Sequence, residues 1–153
     1  MGLLQNALST ELVVSSNSYI FDGAGGMRDE LEQSILKELE LKQYPLKTAV
    51  ETVKSGGIFG TKEECVTIEV GQAHRVVISI TTVGTYLYVG VYHLIRVLNT
   101  VNQMNLATTI TDVFVYQHTQ AAYASAIACC ESAFEKFELK QIDNEYHPIV
   151  SGV

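Results

Sequence analysis

The stretch CVTIEVGQAHRVVISITTVGTYLYVGVYH, from Cys65 to His93, decides the fold. Within it, apolar residues occupy every second position in three consecutive segments. An alternation with a period of two predicts β-strands with two chemically distinct faces. The connectors, Gly71–His74 and Val83–Gly84, are too short to contain crossover helices, so the three strands are predicted to pair antiparallel.

Two further elements and an ambiguous segment precede this stretch. Glu11–Phe21 is predicted as one strand or two short ones, and Met27–Leu41 as a helix with an apolar residue at every fourth position. Leu46–Lys54 fits a helix that begins after Pro45, but its β-branched content favours a strand. We favour the strand, because a glycine-rich loop would then join it to an antiparallel neighbour.

The C-terminal part is expected to end in a helix. Leu94–Met104 fits either a short helix or an extension of the preceding strand, and Ile110–Tyr116 is predicted as a further strand. Thr119–Leu139 is predicted as a long helix. Its apolar stripe consists of Tyr123, Ile127, Cys130, Phe134 and Phe137.

These elements predict an α+β fold. We expect an antiparallel meander sheet of about five strands, with one N-terminal helix and a long C-terminal helix packed on it. A helix-grip arrangement, in which a curved sheet wraps the last helix around an apolar cavity, is one version. Residues 1–153 are expected to form a single domain, with residues 1–9 and 140–153 as loose termini.

Composition narrows the classes of partner. The formal net charge of −7 argues against nucleic acid, because phosphate binding needs a face rich in Lys and Arg. No apolar run is long enough to span a bilayer, and residues 1–6 do not fit a signal peptide. The three cysteines form no disulfide framework, which favours reduced thiols and a cytoplasmic location.

Two glycine-rich segments superficially resemble phosphate-binding loops. Asp22–Gly26 precedes a helix, but Arg28 stands where the dinucleotide pattern needs its third glycine. Ser55–Lys62 ends in Gly-Thr-Lys and not in the Gly-Lys-Thr of a P-loop. No His, Cys or Glu residues stand at a metal-binding spacing. We therefore predict neither a cofactor nor a metal.

The strongest catalytic candidates are His93, His118 and Asp112. His93 closes a predicted strand, and His118 stands between the last predicted strand and the last helix. If those two ends met, the three side chains would form an acid–base cluster. The alternative is that they are scattered polar residues at the edge of the sheet.

Tyrosines mark a candidate binding surface. Tyr86, Tyr88 and Tyr92 share one face of a strand, and Gly90 leaves a gap between them. Tyrosine has an apolar body with a polar tip, which suits a ligand groove or a protein interface. We favour the alternative that these rings cover the sheet under the C-terminal helix, with Gly90 making room for it.

Part of the chain resembles a group of uncharacterised prokaryotic α+β proteins. The segments that carry the resemblance are Val53–Gly60, Val66–Val70 and Gly84–Tyr92, followed by the helix after Asp112. The resemblance extends at most over residues 45–139. It implies the α+β fold, and because no activity is assigned to the group, it implies no functional residue.

The leading hypothesis for function is a non-enzymatic binding or adaptor domain that contacts proteins and forms a homodimer. The second is a carrier of an apolar small molecule held between the sheet and the last helix. That site would be lined by Tyr86, Tyr88, Tyr92, Tyr123 and Phe134. The third is an acid–base enzyme that uses the His93, His118 and Asp112 cluster.

Overall fold

The computed structural model describes residues 9–42, 47–54, 62–71, 73–98 and 109–142. In chain order the elements are β1 (Ser9–Asp22), α1 (Arg28–Leu41), β2 (Lys47–Lys54), β3 (Lys62–Glu69), β4 (His74–Val83), β5 (Tyr86–Leu98) and α2 (Ile110–Lys136). A short 3-10 turn, Gly25–Met27, precedes α1.

All five strands join one sheet in the order β1-β5-β4-β3-β2, and every neighbouring pair is antiparallel. The predicted meander is therefore confirmed, as is the strand predicted for Leu46–Lys54 over its described part, Lys47–Lys54. The first strand pairs with the last along almost its whole length, with a bulge between Val13 and Ser15. This pairing brings the N-terminal strand to the edge of the sheet opposite β2.

The sheet has one face covered by helices, which we call the helix face. It carries the alternating positions of β5 that include Leu87, Val89 and Val91, and all three side chains are buried. Their cross-strand partners include Tyr19 on β1 and Ile78 on β4. The opposite side, which we call the second face, carries Tyr86, Tyr88, Gly90 and Tyr92 on β5 and Arg75 and Val77 on β4.

Small residues let α2 approach the sheet closely. Ala122, Ala126 and Ala133 are almost fully buried, together with Cys129 and Cys130. The helix α1 packs beside α2 and contacts β4. The hydrophobic core thus fills the space between the helix face and the two helices, and apolar burial there stabilises the fold.

One predicted strand was wrong. Ile110–Tyr116 forms the first turns of α2, although its β-branched residues alternate as in a strand. A capping box begins the helix: the Asp112 amide donates to the Thr109 side chain, and the Thr109 amide donates to the Asp112 carboxylate. These bonds satisfy two of the amides that a helix N-terminus leaves open.

Two other predictions fall partly outside the described residues. Leu94–Leu98 continues β5, which fits the strand extension, and residues 99–104 lie outside the described part. The predicted loose termini, 1–9 and 140–153, also lie largely outside it. After α2 the chain returns to β1, where Gln141 bridges Phe21 and the Ile142 amide donates to the Ile20 carbonyl at 2.8 Å.

Gly25 is held against the β4–β5 hairpin, and this contact yields a prediction. Its amide donates to the Thr85 carbonyl at 3.0 Å, and an added Cβ would lie 2.4 Å from the Gly84 carbonyl oxygen. Because that oxygen belongs to the backbone, Gly25→Ala is expected to cost about 2 kcal/mol of unfolding free energy in urea denaturation. Gly26→Ala is the matched control, since nothing lies within 4 Å of its added Cβ. Equal losses in both variants would contradict this packing.

Candidate functional site

Two buried histidines meet at one end of the helix face. His74 begins β4, and His93 lies on β5 opposite Val76. The Nδ1 atom of His74 is 3.0 Å from Nε2 of His93. His74 is 7% exposed and His93 is fully buried, so His74 is not a solvated residue although it directly follows a short connector. The register of the hairpin places both rings beneath α2.

A glutamine from α2 continues this hydrogen-bond chain. Nε2 of Gln120 lies 2.6 Å from Nδ1 of His93 and 3.4 Å from the Ser15 hydroxyl. An amide NH2 group only donates, so in this arrangement Nδ1 of His93 accepts and its Nε2–H donates to His74. Both rings are then neutral and satisfy each other without a charge.

Tyr116 covers the pair. Its ring centroid lies 5.5 Å from that of His93 and 6.2 Å from that of His74. Burial and, to a smaller extent, the neighbouring His74 lower the pKa of His93 to about 4. Burial also lowers the pKa of His74, against the opposing effect of the Asp112 carboxylate. The pair is therefore neutral at pH 7 and offers unprotonated imidazole nitrogens for proton exchange.

The predicted acid–base cluster does not assemble. His93 lies under Tyr116, whereas His118 is exposed on the opposite side of α2, because two residues correspond to about 200° around a helix. Asp112 is exposed at the first turn and interacts electrostatically with His74. In the tertiary structure the partners of His93 are His74 and Gln120, and not His118. Sequence spacing could not identify this pair of partners, because 46 positions separate His74 from Gln120.

A polar cleft of about 280 Å³ opens beside His74. It is lined by Glu11, Glu69, Gly71, Ala73, His74, Arg75 and Arg96. Arg75, on the central strand β4, donates through Nε to Glu11 of edge strand β1 at 2.7 Å. It also lies 3.8 Å from Glu51 of the other edge strand, β2. One guanidinium thus joins carboxylates from both edges of the sheet across its second face.

The tyrosine surface lies on the second face, away from α2. The hydroxyl of Tyr88 donates to Ser18 at 2.7 Å, and Tyr86 is 45% exposed. The ring of Tyr92 lies over Gly90, where an added Cβ would meet it. The interpretation that these rings lie under the C-terminal helix is therefore wrong. The alternation assigns residues to two faces of β5, and both faces are apolar. The pattern therefore does not tell which face the helix covers.

The two groups of aromatic residues proposed to line one cavity lie on opposite sides of the sheet. Phe134 packs on the helix face against Tyr19 and Phe21, with ring centroids 4.9 and 4.7 Å apart. Tyr123 packs against the same core. The proposed set therefore cannot line a single cavity, because the sheet separates Tyr123 and Phe134 from the three tyrosines of β5.

The side of α2 that points away from the sheet carries no charge between Val113 and Cys130, and we call it the outer side; exposed charged residues flank it at Asp112, Glu131 and Glu135. Val113 to Cys130 contains no Asp, Glu, Lys or Arg. The exposed fractions are 65% for Ile110 and 52% for Phe114. Further along the helix the outer side continues as Gln117, Ala121, Ala124 and Ala128, all exposed. Sequence reasoning missed this surface because it divided the helix into a strand and a shorter helix.

Some classes of site are absent from the described ranges. No group of three or more His, Cys, Asp or Glu residues stands close enough there to hold a metal ion. Among the described helices, none has the length and apolar character that crossing a bilayer requires.

Comparisons with known proteins do not assign the chain to a family. No family model matches it, and no curated protein matches it. Among solved structures, the di-domain ARO/CYC protein StfQ from the steffimycin biosynthetic pathway is similar, with a TM-score of 0.39 and 10% identity. The match covers 90% of this chain and 54% of that protein, so this chain spans about half its length. A likeness at this level carries no argument about function.

Proposed function

We propose that the protein is a self-associating interaction module in which two copies join through the outer side of α2. The observation that supports this proposal is the apolar, uncharged surface that this helix turns away from its own sheet. Ile110 and Phe114 are both more than half exposed there. Apolar surface of this kind on a helix commonly marks an interface, because leaving it in water is unfavourable.

The other helix of the same fold provides an internal comparison. The exposed positions of α1 include Asp29, Glu30, Lys37 and Glu40, as expected for a helix face in contact with water. α2 is almost twice as long, and its exposed positions from Val113 to Ala128 include no charged residue. Burial of the outer side of α2 in an interface explains why its exposed positions lack the charged residues that α1 carries.

The distribution of large and small residues favours a second copy as the partner. A two-fold axis near Ala121 would pair the outer sides of two α2 helices antiparallel. Because Phe114 and Ala128 are equally distant from Ala121 in sequence, each large ring would then face a small side chain of the partner. Gln117 and Ser125 would face each other in the same way. A surface that is complementary to itself in this way suits a two-fold dimer.

The proposal is tested by the oligomeric state in sedimentation velocity and light scattering at micromolar concentration. The parent chain is expected to be a dimer. Ala124→Arg places a charge in the centre of the outer side and is expected to weaken dimerisation at least a hundredfold, by about 3 kcal/mol. Gln33→Arg is the matched control, since it adds the same charge at an exposed position of α1.

Three outcomes are informative. A monomeric parent chain would exclude self-association and would leave either another protein or the remainder of this chain as the cover of α2. Equal weakening by both arginine variants would mean that net charge, not this surface, controls association. A dimer that survives Ala124→Arg would place the interface elsewhere.

The carrier hypothesis has weaker support. Ala122, Ala126 and Cys130 of α2 are fully buried against the helix face, so the described core there is filled by protein atoms. The polar cleft beside His74 would suit a small polar ligand better than an apolar one, because charged side chains line it. Native mass spectrometry of the purified protein distinguishes these cases by a co-purified ligand.

A further inference from the structure

We propose that His74, His93 and Gln120 form an acid-sensitive latch, which holds the first turns of α2, Ile110–His118, against the sheet at neutral pH and releases them on protonation. This inference is independent of the proposed dimer. It rests on the position of the histidine pair beneath one half of a single helix.

The first turns of α2 are less buried than the rest of the helix. Except for Val115, which lies against Gly71, the side chains of residues 110–118 are exposed, although the Tyr116 ring also lies over the imidazoles. Among the described residues, the side-chain hydrogen bonds between this end of α2 and the sheet are those of Gln120 with His93 and Ser15. The opposite half, by contrast, is anchored in the core through Phe134 and in contact with α1.

Proton uptake conflicts with the hydrogen-bond chain. A proton added to Nδ1 of His74 would face the Nε2–H of His93 across 3.0 Å, so two donors would oppose each other. Relief requires that His93 move its proton to Nδ1 and that Gln120 rotate its amide to present oxygen. A second proton on His93 leaves no arrangement in which both rings find acceptors, and release of α2 lets water solvate the charge.

The surrounding charged groups have opposing effects. Asp112 on α2 favours a proton on His74. The cleft beside His74 is lined by two acidic residues, Glu11 and Glu69, and two basic ones, Arg75 and Arg96, so the charges on that side balance. Burial is the largest effect on both rings and lowers both pKa values. His118 is exposed on the far side of the helix and takes no part.

The sign of the pH dependence follows from these directions. A released imidazole has a pKa near 6.5, whereas the pKa of latched His93 is about 4. The latch is therefore complete above pH 6.5 and weakens as the pH falls from 6.5 towards 4, where the open form binds more protons. Between pH 7.5 and pH 5, His93 alone is expected to raise the ratio of open to closed protein about thirtyfold.

Hydrogen exchange tests the latch when rates are converted to protection factors at each pH. We expect protection of amides 114–120 to fall about thirtyfold between pH 7.5 and pH 5, while amides 126–136 keep theirs. His93→Gln is expected to remove the thirtyfold contribution of His93 to this difference, because glutamine does not titrate. His118→Gln is the matched control and should retain it. If His93→Gln fails to fold, His93→Asn serves in its place, because asparagine does not titrate either.

Two results would overturn the proposal: constant protection of amides 114–120 across this pH range, or an undiminished fall in the His93 variant that folds. Measuring each protein also in the Ala124→Arg background separates the latch from the proposed dimer. Failure of dimerisation alone leaves the expected pH response unchanged.

Discussion

Phe134→Ala is expected to lower the free energy of unfolding by about 3–5 kcal/mol, the largest effect of any single substitution considered for this protein. The side chain is 6% exposed and packs between the rings of Tyr19 and Phe21. Its removal would leave a cavity between α2 and β1 that the rigid sheet cannot close. Urea denaturation followed by circular dichroism measures the loss.

Phe114→Ala on the same helix is the control. Its ring is 52% exposed, so within the monomer the substitution is expected to cost no more than about 0.5 kcal/mol. Both variants should be compared in the Ala124→Arg background, so that dimerisation does not contribute. A loss below about 1 kcal/mol for Phe134→Ala would mean that this ring lines a site and is not part of the core.

Arg75→Met is expected to cost about 2 kcal/mol, because it leaves two carboxylates on the second face without their shared guanidinium. The side chain of Arg75 is 17% exposed, and those of Glu11 and Glu51 are 28% and 40% exposed. This partial exposure reduces the effect below that of a fully buried pair, and added salt should reduce it further. Chemical denaturation at low and high salt measures both expectations.

A second substitution identifies the cause. Adding Glu11→Gln to Arg75→Met is expected to recover part of the loss, since it removes one of the uncompensated charges. Arg96→Met is the control, because this exposed arginine lines the same cleft. If the Arg96 variant lost as much stability, or if Glu11→Gln gave no recovery, the ion pairs across the second face would not be a stabilising feature.

The confirmed parts of the fold were those that depend on local pattern. The alternating segments between Cys65 and His93, with connectors too short for a helix, require antiparallel strands wherever they lie in a protein. The repeat of apolar residues in Met27–Leu41 likewise predicts an amphipathic helix. In both cases, residues close in sequence carry the whole signal.

Ile110–Tyr116 marks the limit of local pattern. Its β-branched and aromatic residues alternate as they would in a strand, and yet the chain there is helical. The capping box at Thr109 and Asp112 and the continuity with the buried turns that follow outweigh the preference of these residues for strands. The outer side of α2, on which the proposed function rests, begins in these turns. It cannot be identified from the sequence while they are predicted as a strand.

The candidate site, like the fold, depends partly on local sequence pattern and partly on tertiary packing. By itself, the sequence determined that the protein is α+β, that its central strands are antiparallel, and that β5 is apolar on both faces. Only the tertiary structure decided that the helices cover the face of Val89 and leave that of Tyr88, and that His74, His93 and Gln120 meet. Strand and helix periodicities are set by neighbours along the chain, whereas a choice between two apolar faces and a contact between distant residues depend on how whole elements pack.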